Sequence, residues 1–297
     1  MPHTYNKRAR NDRLPPFVHG SVHAPATGRE APHRYRIRAH PENAWQAYHQ
    51  GTTGRPPREQ LVNFINNHEG EFKTAVDLGC GAFSDSIYLA SKGINTTGID
   101  SRINYEIKDK LTQNLPNNIK DNFNTRSQDF SNLHLDKYDL VYSFAALPFC
   151  PEQDFAKMMS NVACAVNPNG YVALHFFEKL HPFSQRGDTR GFTSEQLTNL
   201  FDYLGFTNTQ VNEWKSERLQ NGETNPNLNN IFITSQAPEQ MQEPDLNKIN
   251  EILGLTQQQT NIPASETIAT PTTITETPVV EIENVINGIS TLEDPTM

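Results

Sequence analysis

Apolar and polar residues follow two different periods along the middle of the chain. Runs of consecutive apolar residues indicate buried strands, whereas apolar residues recurring every three or four positions indicate helices. The first pattern predicts strands at 74–80, 95–100, 124–130, 137–147 and 171–177, with helical patterns between most of them. Strands that alternate with helices are typical of an α/β fold. They predict a Rossmann-like, doubly wound and mostly parallel sheet.

The end of this pattern differs from the rest. The stretches NTQVNEWKSERL and NNIFITSQ both have strand character, and no helical pattern separates them. A parallel connection needs a crossover of a dozen or more residues, so two such strands pair antiparallel. We therefore expect an antiparallel strand at one edge of the sheet.

Several helices and turns carry recognisable local signals. Ser84 is expected to cap the helix after the first strand, and Pro151 to open the helix before the fifth. Thr193 and Gln196 have the spacing of a capping box. The sequence NPNG at 167–170 predicts a turn just before the fifth strand.

Charge and composition divide the chain into three parts. Residues 1–40 hold eight bases, two acids and five of the ten histidines, which predicts a basic, His-rich flexible arm. Residues 41–236 carry the alternating pattern and form the predicted folded domain. Residues 237–297 hold ten acids against one base and no aromatic residue. They predict an acidic, Thr/Pro-rich disordered tail with one short helix at 245–255.

Composition also narrows the classes of function. No run of about 18 apolar residues occurs, so no membrane span is expected. The predicted domain holds 16 bases and 22 acids, which disfavours a nucleic-acid partner, although either tail could contact a protein. Cys80, Cys150 and Cys164 form neither a zinc pattern nor a disulfide framework. A cytoplasmic protein without a metal site is expected.

The stretch VDLGCGAFSDS at 76–86 predicts a glycine turn between the first strand and a helix. Gly79 and Gly81 stand where a backbone can approach a ligand closely. A dinucleotide loop would carry a third glycine, but Phe83 follows instead, and Asp85 in the first helical turn would repel a diphosphate. The turn therefore favours a ligand without phosphates. Phe83 is expected to pack beneath it.

A second carboxylate specifies the ligand further. Asp100 ends the second strand 19 residues beyond Gly81, where an acid accepts hydrogen bonds from ribose hydroxyls. A ribose without phosphate suggests S-adenosylmethionine (SAM). Its ammonium and sulfonium charges would be compatible with Asp77.

These motifs, in this order, resemble those of the class I SAM-dependent methyltransferases, in particular the tellurite-resistance and thiopurine types. The resemblance covers about residues 41–236. It extends to further stretches at 44–61, 144–155, 166–170 and 191–201, which read AWQAYHQGTTGRPPREQL, FAALPFCPEQDF, VNPNG and GFTSEQLTNLF. One departure, besides Phe83, is NPNLNNIF at 225–232, where relatives often carry a histidine.

The resemblance implies a set of site residues. The residues expected to bind SAM are Asp77, Gly79, Cys80, Gly81, Asp100, Ser101, Asp129, Phe130, Ser143 and Phe144. Within this set, Asp129 would contact the adenine amino group, and Ser143 and Phe144 would lie near the sulfonium. The residues expected to bound the acceptor or cover the site are Trp45, Tyr48, Arg55, Phe149 and Phe177.

The implied activity is methyl transfer from SAM to a small-molecule acceptor by in-line displacement. No residue stands out as a general base, and His175 and Glu178, in and just after the fifth strand, are the weak candidates. Two alternatives stay open. One is an inactive SAM-binding interaction module, and the other is a protein or RNA methyltransferase that uses the basic arm.

Overall fold

The computed structural model describes residues 41–185, 189–218 and 224–255. The predicted arm at 1–40, and the predicted tail beyond residue 255, lie outside these residues. Within the described ranges, none of the helices is both long and apolar enough to cross a membrane.

The strands form a single sheet in the described part of the chain. Their bounds are β1 Thr74–Leu78, β2 Asn95–Asp100, β3 Phe123–Ser127, β4 Tyr138–Ser143, β5 Val166–Glu178, β6 Gly191–Phe192, β7 Thr207–Arg218 and β8 Thr224–Gln236. The α-helices are α1 Pro41–Thr52, α2 Glu59–Asn67, α3 Ser84–Ser91, α4 Tyr105–Thr112, α5 Asn117–Asp121, α6 Glu152–Cys164, α7 Pro182–Gln185, α8 Ser194–Tyr203 and α9 Leu246–Leu253.

The order of strands across the sheet is β3-β2-β1-β4-β5-β8-β7, with β6 paired to the end of β5. Strands β1 to β5 run parallel, β8 runs antiparallel to β5, and β7 runs antiparallel to β8. The predicted fold class is thereby confirmed, including the antiparallel edge. The chain order reverses between β1 and β4, and the cleft outside the carboxyl ends of such strands is where open α/β sheets bind ligands.

Apolar residues cover both faces of the sheet. One buried cluster joins β1, β4 and β5 to residues of α6, α8 and α9, and a second joins β1 and β4 to residues of α2 and α3. Helix α9 lies within the predicted range 245–255, and its Ile249 and Leu253 are buried in the first cluster. The packed chain therefore continues beyond residue 236, while the three-part division of the whole chain stays a prediction.

The predicted turn at NPNG lies inside β5. Val166 pairs with Tyr138 and Tyr171 pairs with Leu140, so β5 advances by five residues while β4 advances by two. The extra residues form a bulge, in which Asn169 adopts a left-handed φ of 60°. Asparagine tolerates that conformation, so the turn signal is used within the strand rather than before it.

Phe83 takes the backbone conformation of a glycine. Its φ is 65°, its side chain is fully buried, and its ring lies 5.8 Å from that of Phe123 beneath the turn. This is the packing expected from the sequence. Helix α3 begins at Ser84, with Phe83 in the capping position, so the prediction of Ser84 as N-cap is wrong by one residue.

We expect the substitution Phe83→Gly to destabilise the fold. Removing a buried phenylalanine costs about 3–5 kcal/mol, whereas relieving a left-handed residue returns about 1–2 kcal/mol. The free energy of unfolding, measured by urea denaturation, should therefore fall by a net of about 1–4 kcal/mol. The variant Phe83→Leu is the control, since it keeps the left-handed backbone and most of the apolar contact. A stability equal to wild type would contradict the packing role.

Candidate functional site

A cavity of about 270 Å³ lies at the carboxyl ends of β1, β2 and β4, beneath α1 and the segment joining α1 to α2. It brings together most of the residues singled out from the sequence. The predicted residues that line it are Trp45, Tyr48, Arg55, Asp77, Gly79, Cys80, Gly81, Asp100, Ser101, Asp129, Phe130, Phe144 and Phe149. Ser143, Phe177, His175 and Glu178 are not among the lining residues.

The glycine turn after β1 brings two loops into contact. Gly79 has a φ of 74°, and a Cβ atom placed on it would lie 2.1 Å from the Cβ atom of Ala146. The N–H groups of Gly79 and Cys80 both donate to the carbonyl of Ile99, at 2.7 and 3.0 Å. The close approach of Ala146, in the loop after β4, therefore requires glycine at position 79.

Asp100 is held in place by backbone donors. Its Oδ2 accepts from the N–H of Gly81 at 3.0 Å, and its Oδ1 accepts from the N–H of Arg102 at 2.9 Å. The Nε2 atom of His49, in α1, lies 4.0 Å from Oδ2. Burial lowers the pKa of His49 even though Asp100 opposes this, so the imidazole is neutral at pH 7. His49 is a lining residue that the sequence patterns did not single out.

Two buried acids, Asp77 and Asp85, differ in how they are paired. Asp77 accepts from the Oγ hydroxyl of Ser86 at 2.5 Å. Burial, and next the charge of Asp85, raise the pKa of Asp77 to about 7. Asp85 accepts two hydrogen bonds from the guanidinium of Arg55, at 3.1 and 2.7 Å. Asp77 is thus only partly ionised near neutral pH, whereas the neighbouring carboxylate, Asp85, is paired with Arg55.

The pairing of Arg55 changes its expected part in the site. It lines the cavity, as predicted for a residue bounding the acceptor, but its guanidinium is held by Asp85. Asp85 also accepts from the N–H of Arg58 at 2.8 Å and from the hydroxyl of Tyr142 at 3.2 Å. These contacts tie the segment before α2 to the first turn of α3.

Arg58 is a cation that sequence reasoning missed. Its guanidinium lies 4.6 Å from the centre of the Phe144 ring, in the wall of the cavity. Among the described residues, no carboxylate forms an ion pair with it. The signal was present in the sequence, since Arg58 follows Arg55 by three positions in GRPPREQL. Only the contacts in the folded structure show that Arg55 is paired with a carboxylate and that Arg58 is not.

Asp129 and Phe130 line the part of the cavity beyond β3. The Oδ1 atom of Asp129 accepts from the N–H of Ser131 at 2.8 Å and so caps a short 3-10 turn. The ring of Phe130 reaches the glycine turn, where it would lie 3.7 Å from a Cβ on Gly79. Asp129 therefore stabilises this turn. Because it also lines the cavity, it remains a candidate for contact with a ligand.

The remaining wall is aromatic. The rings of Trp45 and Phe149 meet edge to face at 4.9 Å, and Trp45 and Tyr48 meet at 5.9 Å. Phe177 lies behind this wall, 6.1 Å from Phe149. The four aromatic residues predicted to bound the acceptor therefore form one layer, in which Phe177 lies outside the cavity.

The side chains of two predicted cofactor residues, Ser143 and Cys80, are buried. Ser143 is fully buried, and its hydroxyl donates to the carbonyl of Leu78 at 2.7 Å, between β4 and β1. Cys80 lines the cavity, but burial raises the pKa of its thiol well above the ordinary value. Neither side chain offers a reactive group to the cavity.

Both weak candidates for a base are engaged elsewhere. The Nδ1 atom of His175 accepts from the N–H of Ala145 at 3.2 Å, and its Nε2 lies 3.0 Å from Oδ1 of Asn230. Burial lowers the pKa of His175 to about 3, so it does not take up a proton at neutral pH. Glu178 accepts from the N–H of Leu180 at 2.7 Å, away from the cavity. In the described ranges no cluster of three or more His, Cys, Asp or Glu could hold a metal ion.

Comparisons with known proteins match the central part of the chain. The model of a family described as tellurite resistance protein TehB matches residues 70–176, which include β1 to β4 and nearly all of β5. A ubiquinone biosynthesis O-methyltransferase of Hydrogenovibrio crunogenus is 33% identical over 145 residues, 47% of this chain. The match spans 56% of that enzyme's length.

Solved structures share the fold at low sequence identity. A magnesium protoporphyrin IX methyltransferase of Synechocystis, with bound S-adenosylhomocysteine (SAH), has a TM-score of 0.51 and 16% identity, covering 66% of this chain and 94% of that one. A 1,6-didemethyltoxoflavin methyltransferase of Burkholderia thailandensis has a TM-score of 0.51 and 19% identity, covering 73% and 93%. The chain thus has the fold of the class I SAM-dependent methyltransferases and is similar to those of the tellurite-resistance type, as its motifs predicted.

Proposed function

We propose that the chain binds SAM in this cavity and transfers its methyl group to a small-molecule acceptor. The observation that supports this best is the set of charged side chains in the cavity wall. Asp100 and Asp77 both line the cavity, and the cation Arg58, with no carboxylate partner among the described residues, lies beside Phe144. A ribose, an ammonium and a carboxylate, three of the polar groups of SAM, match these in kind.

The nucleoside half would lie between β2 and β3. Asp100 is oriented by two backbone N–H groups and can accept from both ribose hydroxyls. His49, neutral and close to Asp100, would lie over the ribose from α1. Asp129 would accept from the adenine amino group, and Phe130 would pack against the ring.

The amino-acid half would lie over the glycine turn. Asp77 is the acid for the ammonium group, because Asp85 is already satisfied by Arg55. Arg58 is the cation for the carboxylate, since a guanidinium binds a carboxylate with two parallel hydrogen bonds. The contact between its guanidinium and the face of Phe144 would hold the side chain in place.

The acceptor would lie against the aromatic layer of Trp45, Tyr48 and Phe149. In an in-line displacement the acceptor's electron pair forms the new bond to the methyl carbon while the carbon–sulfur pair passes to sulfur. The protein's main contribution is then alignment of the two reactants. His175 is not positioned or charged to act as a base, so an acceptor that is already anionic, or a soft nucleophile, suits the site.

We further propose a small-molecule acceptor and a cytoplasmic location. The predicted domain has more acids than bases, which supports a small molecule over a nucleic acid as acceptor. All three cysteines are free thiols, which supports a cytoplasmic location.

Replacing Asp100 tests the cofactor assignment. Titration calorimetry should show SAH binding to wild type and at least about hundredfold weaker binding to Asp100→Ala, because two hydrogen bonds to a charged group, each contributing about 1.5–3 kcal/mol, are lost. The matched control is Asp109→Ala, an exposed acid on α4. Wild-type protein that does not bind SAH would overturn the proposed function. Binding of SAH without turnover on any acceptor tested would instead favour the inactive interaction module.

The affinity for SAH should depend on pH through Asp77. Below about pH 7 the buried carboxyl is mostly protonated, and an ammonium group binds the ionised form. Wild-type affinity should therefore rise as the pH increases from 6 to 8, by up to about tenfold per pH unit below the pKa. Asp77→Asn should bind more weakly and lose this dependence. A flat wild-type profile would show that Asp77 does not titrate with binding.

The same substitution should change stability in the opposite direction. The pKa of Asp77 is raised in the folded state, so its contribution to stability is largest at low pH and falls as the pH rises through about 7. Thermal unfolding at pH 8 should therefore show a higher Tm for Asp77→Asn than for wild type. At pH 5 the difference should be smaller. Equal melting temperatures at pH 8 would contradict the burial cost.

A further inference from the structure

The loop after β4 contains a strained residue at the cavity. Ala145 has a φ of 55°, in the left-handed region that non-glycine residues seldom adopt. Its neighbours Phe144 and Ala146 both line the cavity, and Ala146 meets the glycine turn at Gly79. Such a conformation persists only where surrounding contacts determine it.

These contacts form a chain of hydrogen bonds, in which the donor and the acceptor of each bond are determined by its neighbours. The amide Nδ2 of Asn230 donates to the carbonyl of Leu228 at 2.7 Å, which turns its Oδ1 toward His175. The Nε2–H of His175 then donates to that oxygen, so Nδ1 carries a lone pair and accepts from the N–H of Ala145. The tautomer of the imidazole is fixed by its two partners.

The same imidazole supports the cation at the cavity wall. The ring of His175 stacks on that of Phe144 at 4.3 Å and 22°, and the guanidinium of Arg58 lies over Phe144 at 4.6 Å. Phe177 meets the ring of His175 edge to face at 5.2 Å. His175 therefore contacts the support of Arg58 as well as the backbone of the loop.

The groups that face His175 explain why it stays neutral. Burial lowers the pKa of His175, the hydrogen bond with Asn230 partly opposes this, and the positive charge of Arg58 lowers the pKa further. A charged imidazole would have to donate from Nδ1, where the N–H of Ala145 already points. The ring is suited to holding position and not to exchanging protons.

We propose that His175 and Asn230 are positioning residues, which hold the Phe144–Ala146 loop so that Phe144 presents Arg58 to the carboxylate of the cofactor. This inference rests on the proposed function. It assigns to β5 and β8 a part in binding the amino-acid half of SAM, although neither His175 nor Asn230 reaches the cavity.

A pair of ligands separates this role from a merely structural one. SAH carries the amino-acid half, whereas 5′-methylthioadenosine has the same nucleoside and sulfur without the carboxylate or the ammonium. The variant His175→Phe keeps an aromatic ring on Phe144 and removes both hydrogen bonds. We expect it to bind SAH about tenfold more weakly in calorimetry and to bind 5′-methylthioadenosine within about twofold of wild type.

The conservative variant His175→Asn should restore part of the SAH affinity, because its amide oxygen can replace Nδ1 as acceptor for Ala145. The matched control is His68→Phe, at a histidine that lies outside the cavity among Phe64, Phe72 and Tyr171. It should leave both affinities unchanged. If His175→Phe does not fold, Asn230→Ser provides the same comparison of the two ligands.

Different outcomes of these binding experiments would contradict the positioning role and the proposed binding of SAM. Arg58→Ala should lower SAH affinity and spare 5′-methylthioadenosine; if it does not, the assignment of Arg58 fails whatever His175 does. If Arg58→Ala behaves as expected and the folded His175 or Asn230 variant weakens the binding of both ligands equally, or of neither, the positioning role is overturned.

Nitrogen NMR offers a second measurement. His175 should remain the Nε2–H tautomer from pH 5 to 8, and protonation in that range would also overturn the inference.

Discussion

The bidentate ion pair between Arg55 and Asp85 is the contact on which the site depends. It joins the segment before α2 to the first turn of α3, and the N–H of Arg58 shares the same carboxylate. The cavity is therefore covered by a segment that precedes the sheet in sequence. Without this contact, α1 with its aromatic residues and His49 would lose its anchor over the carboxyl ends of the strands. Burying a charged pair is costly, and here the three donors and the hydroxyl of Tyr142 offset that cost.

The surroundings of Asp85 also affect Asp77. Burial, and next the charge of Asp85, raise the pKa of Asp77 to about 7, and the charge of Arg55, which is hydrogen-bonded to Asp85, opposes this only in part. The structure thus keeps a carboxyl that is unfavourable for folding when ionised but suited to an incoming cation. Such a conflict between stability and binding is typical of functional sites.

The sequence predicted the sheet, its antiparallel edge and most lining residues, because strand periods and the positions of strand ends are local signals. It misplaced Ser143, since the alternation of side chains turns Ser143 toward Leu78 while Phe144 faces the cavity. It could not distinguish Arg55 from Arg58, because their difference lies in a partner 30 residues away. The link between His175 and Asn230 spans 55 residues and has no local pattern at all. The stretch NPNLNNIF, which lacks a histidine, supplies Asn230 to that link.

Phe83 shows which structural property a glycine in such a motif indicates. The third glycine of a nucleotide turn is usually interpreted as a need for a small side chain, yet here a large ring occupies the position and is buried in the core. In this chain the position combines a left-handed backbone with a side chain that packs inward. A search that demands glycine at this place would reject chains like this one, whereas a search that accepts any residue with an inward side chain and a buried aromatic partner would recover them.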